Sequence, residues 1–378
     1  MTDAKKALLT TWAIRAGLTL LAIVVGAVLT RYGVDPRTIE VIKEVLVTAP
    51  VAAPFDEFGV QYTPTQGWVR DEVQIVTNRN EEATLHFRNT PAGRVALGDE
   101  DVFLWQAVRK VNNRGPPWYP NVNQQSVGCC VGCGFKHAGD VVQAVQIAGG
   151  AKDTWKPLSV EAIYGISRVD VGGGRISGDG SVGAWAAKAV QEYGVAPMEA
   201  IGGVDLTAFS PSRAREYGRK GVPPEVKAAA KEHPVKGSAL VTSWVDVKRS
   251  IQQGYPIAVC SDQGFAMERD ASGRARPQGS WAHCMAIVGV RTSKDGRSEG
   301  AFVLNSWGDA AHTGPVWPAD APVAGFWADS AVIDRMVKQG DSFALSGFTG
   351  FPARKLDWFV HSPPSTPDLL TLSRKETR

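Results

Sequence analysis

Asn123-Gln124-Gln125-Ser126-Val127-Gly128-Cys129-Cys130-Val131-Gly132-Cys133-Gly134-Phe135 is the stretch that decides the fold. A glutamine is followed by a short turn and then by a cysteine at the start of a helical pattern. The apolar residues of that pattern recur at Val131, Phe135, Ala138, Val142 and Val145. Gly149 and Gly150 end it, as glycines just beyond a helix terminus do. The sequence therefore predicts a helix that begins at Cys130.

The position of Cys130 favours nucleophilic chemistry. A cysteine in the first turn of a helix feels the positive end of the helix dipole, which favours the thiolate over the thiol. The thiolate is the form that attacks a carbonyl carbon. Gln124, six residues earlier, supplies a side-chain amide that can stabilise an oxyanion together with the backbone N–H of Cys130.

A nucleophile of this kind needs a base, and the base needs an orienting group. His283 lies in a strand-like run at residues 281–290, and Asn305 follows the short apolar run at 302–304. Asn305 would bond one imidazole nitrogen of His283 and so leave the other to face the sulfur. Trp307 would cover that hydrogen bond. The other histidines (His86, His137, His233, His312, His361) lack such a context.

With these residues identified, residues 100 to 350 resemble the papain family (C1-type) of cysteine peptidases. The matching pieces are Gln124, Cys130, His283 and the run Asn305-Ser306-Trp307-Gly308, in the family's order. The spacing also suits the family, in which His and Asn follow the cysteine by ~130–150 residues.

The resemblance implies an α+β, two-lobed papain-like fold over residues 100–355. A helical lobe would cover about 100–235 and an antiparallel β-barrel-like lobe about 236–355, which agrees with helical patterns first and strand patterns later. The implied activity is hydrolysis of peptide bonds in peptide or protein substrates, a thiol protease activity. The catalytic residues would be Cys130, His283 and Asn305, with Gln124 in the oxyanion hole and no metal or organic cofactor.

The resemblance also implies substrate-binding residues. A glycine-rich loop at residues 172–183 would let the substrate backbone lie close to the cleft wall at Gly178 and Gly180. Cys260, Ala282 and Cys284 would lie near the pocket for the side chain that precedes the scissile bond. The two thiols there could pack, tune the pocket or form a disulfide.

Other interpretations of the cysteine cluster are weaker. A register with Cys133 as the nucleophile would put Val127 where the glutamine belongs, so Cys130 is preferred. A zinc site built from Cys129, Cys130, Cys133 and His137 lacks a second ligand pair, and a thioredoxin-like site lacks its βαβ context.

Two alternative functions keep the same fold. One is a cell-wall amidase or transpeptidase that uses the same thiol. The other is a non-catalytic, membrane-anchored binding protein. Labelling with an electrophilic epoxide peptide discriminates here, because a binding protein would show no selective alkylation of Cys130.

Composition excludes several classes of protein. A chain of 378 residues with 44% hydrophobic and 21% charged residues is an ordinary globular protein. Its net charge of +3, without long basic runs, gives no indication of nucleic-acid binding. Five cysteines, an odd number, do not form a disulfide scaffold, and they agree with one thiol being kept free.

The amino-terminal region predicts an association with membranes. Residues 16–30 are uncharged and mostly apolar, but they are fewer than the ~20 that a full span requires. Residues 1–34 are therefore interpreted as a single-pass transmembrane anchor or a signal segment. Either would make the protein membrane-anchored or exported, with an extracytoplasmic catalytic domain.

The segments at 35–99 and 356–378 complete the chain. Residues 35–99 are predicted to be a linker and a small strand-containing segment, with strands at 73–76 and 84–87. Papain-like enzymes often carry an inhibitory leader in this place. This segment is short for one and has no long helical pattern, so the sequence does not predict latency. Residues 356–378 are predicted to be a flexible tail.

Overall fold

The computed structural model describes residues 35, 66–112, 119–233, 235–293, 298–347, 351, 353–354 and 356. The predicted anchor or signal segment at 1–34 and the tail beyond residue 356 lie outside the described residues. Among the described helices, none is long and apolar enough to cross a membrane. The chain forms two units, Met1–Thr63 with Arg70–Asn80, and Pro64–Val69 with Glu81–Arg378.

The described part of the smaller unit is mainly helix α1 (Glu72–Arg79). Its N-cap, Asp71, accepts a hydrogen bond from the backbone N–H of Gln74 at 3.0 Å. Glu72 in the first turn and Arg79 in the last turn both complement the helix dipole. The strand predicted at 73–76 is therefore wrong, because the cap and the end charges outweigh the strand preference of the β-branched residues.

The strand predicted at 84–87 is wrong as well. Within the larger unit, His86 makes an isolated bridge to Leu240, and a single 3-10 turn follows at Phe87–Asn89. Phe87 is fully buried there against Tyr255 and Phe351. One aromatic anchor and a tight turn thus replace an extended strand.

Most helices of the larger unit precede its sheet. After the short strand β1 (Val102–Phe103), they are α2 (Trp105–Val111), α3 (Cys130–Ala148), α4 (Val160–Gly165), α5 (Gly183–Glu192), α6 (Pro211–Lys220) and α7 (Pro224–Lys231). A one-turn π-helix continues α4, and a small hairpin, β2 (Ala200–Ile201) and β3 (Val204–Asp205), precedes α6. The predicted helix at Cys130 is confirmed, with Gly149 at its C-cap.

The later half of the unit forms one antiparallel sheet with two further helices. In chain order the elements are β4 (Gly237–Leu240), α8 (Trp244–Gln252), β5 (Ile257–Arg269), β6 (Ala275–Arg291), β7 (Gly300–Leu304), β8 (Gly325–Asp329), α9 (Ser330–Val337) and β9 (Phe343–Ser346). The strand order is β4-β9-β5-β6-β7-β8, and β1 pairs with β6. The predicted order of helices before strands is confirmed.

The predicted barrel-like closure of this lobe is wrong. In the part of the chain that the structure describes, β4 and β8 form the two edges and do not pair with each other. Closure of a sheet needs tilted strands with a fixed stagger. The edge strands have only four and five residues, so the sheet stays open.

Helix α3 packs closely against β6, and this contact positions the site. A Cβ on Gly134 would lie 2.6 Å from the Sγ of Cys284 and 2.9 Å from the carbonyl oxygen of Met285, so only glycine fits there. The apolar face of α3, including Phe135, is buried in the main core with β5 and β6. The start of α3 is thereby fixed next to the strand that carries His283.

Candidate active site

Cys130 is the first residue of α3, and the loop before it is a tight turn. The backbone N–H of Val127 donates to the carbonyl oxygen of Gln124 at 3.2 Å, and Gln125 N–H donates to Asn123 Oδ1 at 2.9 Å. Gln125 has a positive φ of 54°, and among the described residues it is the one non-glycine residue with a positive φ. Such a conformation costs on the order of 1 kcal/mol and persists where the surroundings impose it.

Gln124 ties this loop to the turn that carries Asn305. Its buried side chain donates from Nε2 to the carbonyl oxygen of Val127 at 2.9 Å and accepts at Oε1 from the hydroxyl of Ser306 at 2.7 Å. Its backbone N–H also donates to the carbonyl oxygen of Ser306 at 2.9 Å. The amide of Gln124 is therefore held in one orientation. The sequence analysis did not assign this role to Ser306.

His283 on β6 and Asn305 after β7 are joined directly. The Nε2 of His283 lies 2.9 Å from the Oδ1 of Asn305, and the backbone N–H of Ser306 donates to the same oxygen at 2.8 Å. Because a carbonyl oxygen only accepts, Nε2 carries the proton of the neutral imidazole. The lone pair is then on Nδ1, which is buried and makes no hydrogen bond within the described residues.

The thiol of Cys130 lies beside the strand residue that follows His283. The main-chain amides of Cys284 and Val131 oppose, in part, the rise of its pKa that burial causes. No hydrogen bond joins this sulfur to the imidazole in the described state, since Nδ1 has no partner. The structure thus places Cys130 next to the strand that carries His283, and no hydrogen bond joins the two side chains.

Two tryptophans cover the imidazole. The ring centroids of Trp307 and His283 are 4.8 Å apart, with the rings inclined at 34°. Trp281 packs against Trp307 at 4.6 Å. Both His283 and Asn305 are completely buried. Trp307 therefore packs against the imidazole that bonds Asn305.

Burial favours the neutral forms of the Cys130 thiol and the His283 imidazole. It raises the pKa of the Cys130 thiol well above its ordinary value, and the neighbouring thiols of Cys284 and Cys133 raise it further. Burial also lowers the pKa of His283 to about 4, with the Asn305 hydrogen bond opposing it. The thiolate expected at the helix N-terminus is therefore not the form found here, because desolvation outweighs the dipole.

Residues 66–69, which we call the cleft segment, lie between the cysteine loop and β6. The N–H groups of Gly67 and Trp68 both donate to the carbonyl oxygen of Ala282, at 2.9 and 3.0 Å. Ser181 N–H donates to Gly67 at 2.8 Å, and Val69 N–H donates to Ser181 at 2.9 Å, which makes a parallel bridge. Ala282 directly precedes His283 in the chain.

The cleft segment fits tightly against the loop that precedes Cys130. A Cβ on Gly67 would lie 2.0 Å from the carbonyl oxygen of Gly128, so a larger residue would displace one of the two chains. Gly128 is two positions before Cys130. The segment thus contacts both the loop that precedes Cys130 and the strand that carries His283.

Trp68 anchors the segment. Its indole is 4% exposed and donates from Nε1 to the Oδ2 of Asp341 at 2.8 Å. The same carboxylate accepts the backbone N–H groups of Gly183 and Ala184 at the start of α5, each at 2.7 Å. Hydrogen bonds to a charged acceptor are stronger than neutral ones. The sequence analysis assigned no role to Asp341.

The two glycines predicted to bind substrate have different surroundings. Gly180 has a φ of 117°, and a Cβ there would lie 2.8 Å from the Cγ2 of Val69. A Cβ on Gly178 would meet nothing within 4 Å. The buried guanidinium of Arg168 donates to the carbonyl oxygens of both glycines and so fixes the loop. Only Gly180 therefore contacts the cleft segment.

All five cysteines are buried free thiols. Cys260 and Cys284 lie directly opposite each other on β5 and β6, but no disulfide joins them. Cys133 Sγ lies 3.9 Å from Cys129 Sγ, inside the helix packing. Among the residues that the structure describes, no cluster of three or more His, Cys, Asp or Glu side chains is arranged to hold a metal ion.

One residue that the sequence analysis set aside lies within the site. His312 is 3% exposed, and its Nε2 lies 3.0 Å from the Nδ2 of Asn305. It comes seven positions after Asn305 in the loop between β7 and β8. Its only sequence signal is this closeness to Asn305, because neither strand nor helix periodicity marks it.

Comparison with known proteins supports the fold. Xylellain, a cysteine protease from Xylella fastidiosa, matches with a TM-score of 0.51 and 14% identity, covering 76% of this chain and 97% of that chain. Procathepsin B S9 from Trypanosoma congolense matches at 0.47 and 12% (75% and 86% covered), and the proform of the ragweed pollen protease Amb a 11 at 0.46 and 14% (83% and 87% covered). No protein-family model and no curated protein matches the chain. The likeness to xylellain shows the papain-like fold.

Proposed function

We propose that this chain of papain-like fold is a cysteine peptidase that hydrolyses peptide bonds with Cys130, His283 and Asn305. The observation that carries the proposal is the hydrogen bond from His283 Nε2 to Asn305 Oδ1, which leaves Nδ1 as a base. Cys130 lies at the start of a helix beside the next residue of the same strand. Acyl transfer through a thiol needs a nucleophile and an oriented base on neighbouring elements, and these two observations support that arrangement.

The steps follow from the positions of the groups. His283 takes the proton of the Cys130 thiol at Nδ1, and the thiolate attacks the carbonyl carbon of the substrate peptide. The backbone N–H of Cys130 and the amide of Gln124 stabilise the oxyanion. The imidazolium then protonates the leaving amine, and the acyl group remains on the sulfur as a thioester. Water activated by His283 hydrolyses the thioester and restores the thiol.

We propose further that the described state is latent. The support is that Gly67 and Trp68 both donate to the carbonyl oxygen of Ala282, next to His283, which a bound peptide would then be unable to use. The thiol and the imidazole are both neutral there, since burial opposes their charged forms. Departure of the cleft segment would admit water and remove that desolvation, so that the ion pair could form. This proposal replaces the sequence-based expectation of no latency.

The test is hydrolysis of peptide and protein substrates by Trp68→Ala, a change that frees the cleft segment, and by the same variant carrying Cys130→Ala or His283→Ala in addition. We expect both variants to lose turnover by several orders of magnitude. Cys133→Ala is the matched control, since it removes a buried thiol from the same helix and should leave turnover unchanged. Retained hydrolysis in Cys130→Ala would refute the proposal.

Mass mapping with an electrophilic epoxide peptide provides the second measurement. A peptidase should be alkylated at Cys130 alone once the cleft segment has been removed. An absence of selective alkylation would instead indicate the non-catalytic binding protein. Membrane attachment through residues 1–34 stays a proposal of its own, checked by whether the full chain sediments with membranes after alkaline extraction.

A further inference from the structure

The amide of Asn305 lies between two histidines. Its Oδ1 is 2.9 Å from the Nε2 of His283, and its Nδ2 is 3.0 Å from the Nε2 of His312. An amide nitrogen only donates, so Nε2 of His312 must accept. The side chains thus form a directed chain, in which His283 donates to Asn305 and Asn305 donates to His312.

We propose that His312 is a positioning residue that fixes the orientation of the Asn305 amide and, through it, the tautomer of His283. The inference rests on the proposed peptidase function, because it concerns the same imidazole. His312 touches neither the sulfur nor the place of the substrate, and it acts only through Asn305.

The argument depends on the two ends of the amide. Rotation of the Asn305 amide by half a turn would exchange its oxygen and its nitrogen. The Nδ2 hydrogens would then face the proton on His283 Nε2, which would have to move to Nδ1. A neutral imidazole with its proton on Nδ1 cannot accept the proton of Cys130 there. The orientation of one amide therefore decides whether His283 is a base.

Two groups oppose this rotation from opposite sides. The backbone N–H of Ser306 donates to Oδ1 at 2.8 Å and would meet Nδ2 instead after a flip. His312 accepts from Nδ2 and would be left facing the oxygen. Since Asn305 is completely buried, water cannot replace either partner. Of these two groups, the Ser306 N–H belongs to the backbone and His312 acts through its side chain. The contribution of His312 can therefore be removed by substitution.

The surroundings of His312 keep it an acceptor. Its ring packs on Phe326 at 4.7 Å, and the guanidinium of Arg269 donates to its carbonyl oxygen at 3.1 Å. Burial, with the charges of Arg269 and His283, lowers its pKa to about 4, and the main chain of Met267 opposes this. Above that pH the ring is neutral and its Nε2 keeps a lone pair. Protonation would put a hydrogen on Nε2 against the hydrogens of Nδ2.

The experiment compares His312→Phe and His312→Gln with a chain that keeps His312 (called wild type below), and all chains carry Trp68→Ala so that the cleft segment is free to open. Phenylalanine keeps a ring against Phe326 but has no acceptor, whereas glutamine can place its Oε1 near the position of Nε2. We expect His312→Phe to lower kcat by roughly 10- to 100-fold with KM nearly unchanged, as removal of an outer partner does in other sites. His312→Gln should restore most of kcat, although phenylalanine resembles the histidine ring more closely in shape than glutamine does.

The pH profile separates positioning from mere packing. The acid limb of kcat in the wild type should be steeper than that of His312→Gln, because His312 no longer titrates in the variant. The inference is overturned if the wild type and His312→Phe have equal kcat. It is also overturned if both variants have equally low kcat and the acid limbs have equal slopes. Neither outcome would refute the proposed peptidase function. A wild type no more active than Cys130→Ala would instead refute the proposed function.

Discussion

In the full chain, Trp68→Ala should make the thiol of Cys130 react with alkylating reagents roughly 100- to 4,000-fold faster than in the wild type. An indole buries 150–250 Å², worth roughly 4–6 kcal/mol at about 25 cal/mol per Å². Trp68 is 4% exposed, and its hydrogen bond to the Asp341 carboxylate adds about 1.5–3 kcal/mol. Because the surroundings relax, the loss on truncation is about 3–5 kcal/mol.

That free energy acts mainly on the opening of the cleft segment. A buried thiol reacts in proportion to the fraction of molecules in which its cover has opened. A change of 1.4 kcal/mol alters that fraction about tenfold, so 3–5 kcal/mol gives about two to three and a half orders of magnitude. The assay is the second-order rate of iodoacetamide alkylation, with the modified cysteine identified by mass mapping.

Trp155→Ala is the matched control. Trp155 is 6% exposed and donates from Nε1 to the carbonyl oxygen of Asp140 at 2.9 Å, so its truncation removes a similar side chain that does not anchor the cleft segment. It should lower the free energy of global unfolding but leave the alkylation of Cys130 slow. The reasoning is refuted if Trp68→Ala reacts at the wild-type rate, or if both variants react equally fast.

Three further predictions concern pH, the oxyanion and a buried ion pair. The pKa values of His283 and His312 are lowered to about 4 in the folded protein. As pH falls, the unfolded chain therefore takes up protons on these residues at a higher pH than the folded chain does. The stability that each contributes, up to about 3 kcal/mol, is fully present above pH ~6.5 and is lost as pH falls towards 4. Urea unfolding of a variant without the nucleophile should show this fall, and His312→Phe should reduce it by about half. Gln124→Ala should lower kcat about 10²–10³-fold with little change in KM, and an unchanged kcat would exclude it from the oxyanion hole. Lys136→Met should cost about 3–5 kcal/mol of unfolding free energy, because it leaves the carboxylate of Asp140, 2.6 Å away and fully buried, without its cation. Thermal and urea unfolding measure this loss, and a second change of Asp140→Leu should recover much of it.

Local features of the chain were predictable. The helix at Cys130 was read correctly because its apolar spacing and its terminal glycines both lie within one stretch of sequence. The pairing of His283 with Asn305 followed from a resemblance in motif order, and the two side chains lie at hydrogen-bonding distance. The prediction of a strand at residues 73–76 was wrong, because β-branched residues favour strands but Asp71 caps a helix there.

By itself, the sequence determined the helix that begins at Cys130 and the order of helices before strands, and it supplied the candidate site residues that the proposed function rests on. Only the tertiary structure decided the open sheet, the bond between Asn305 and His312, the anchor from Trp68 to Asp341 and the neutral state of the thiol. The physical reason is that periodicity and capping act between near neighbours in the chain. Desolvation and hydrogen bonding in a core depend on residues that only folding brings into contact.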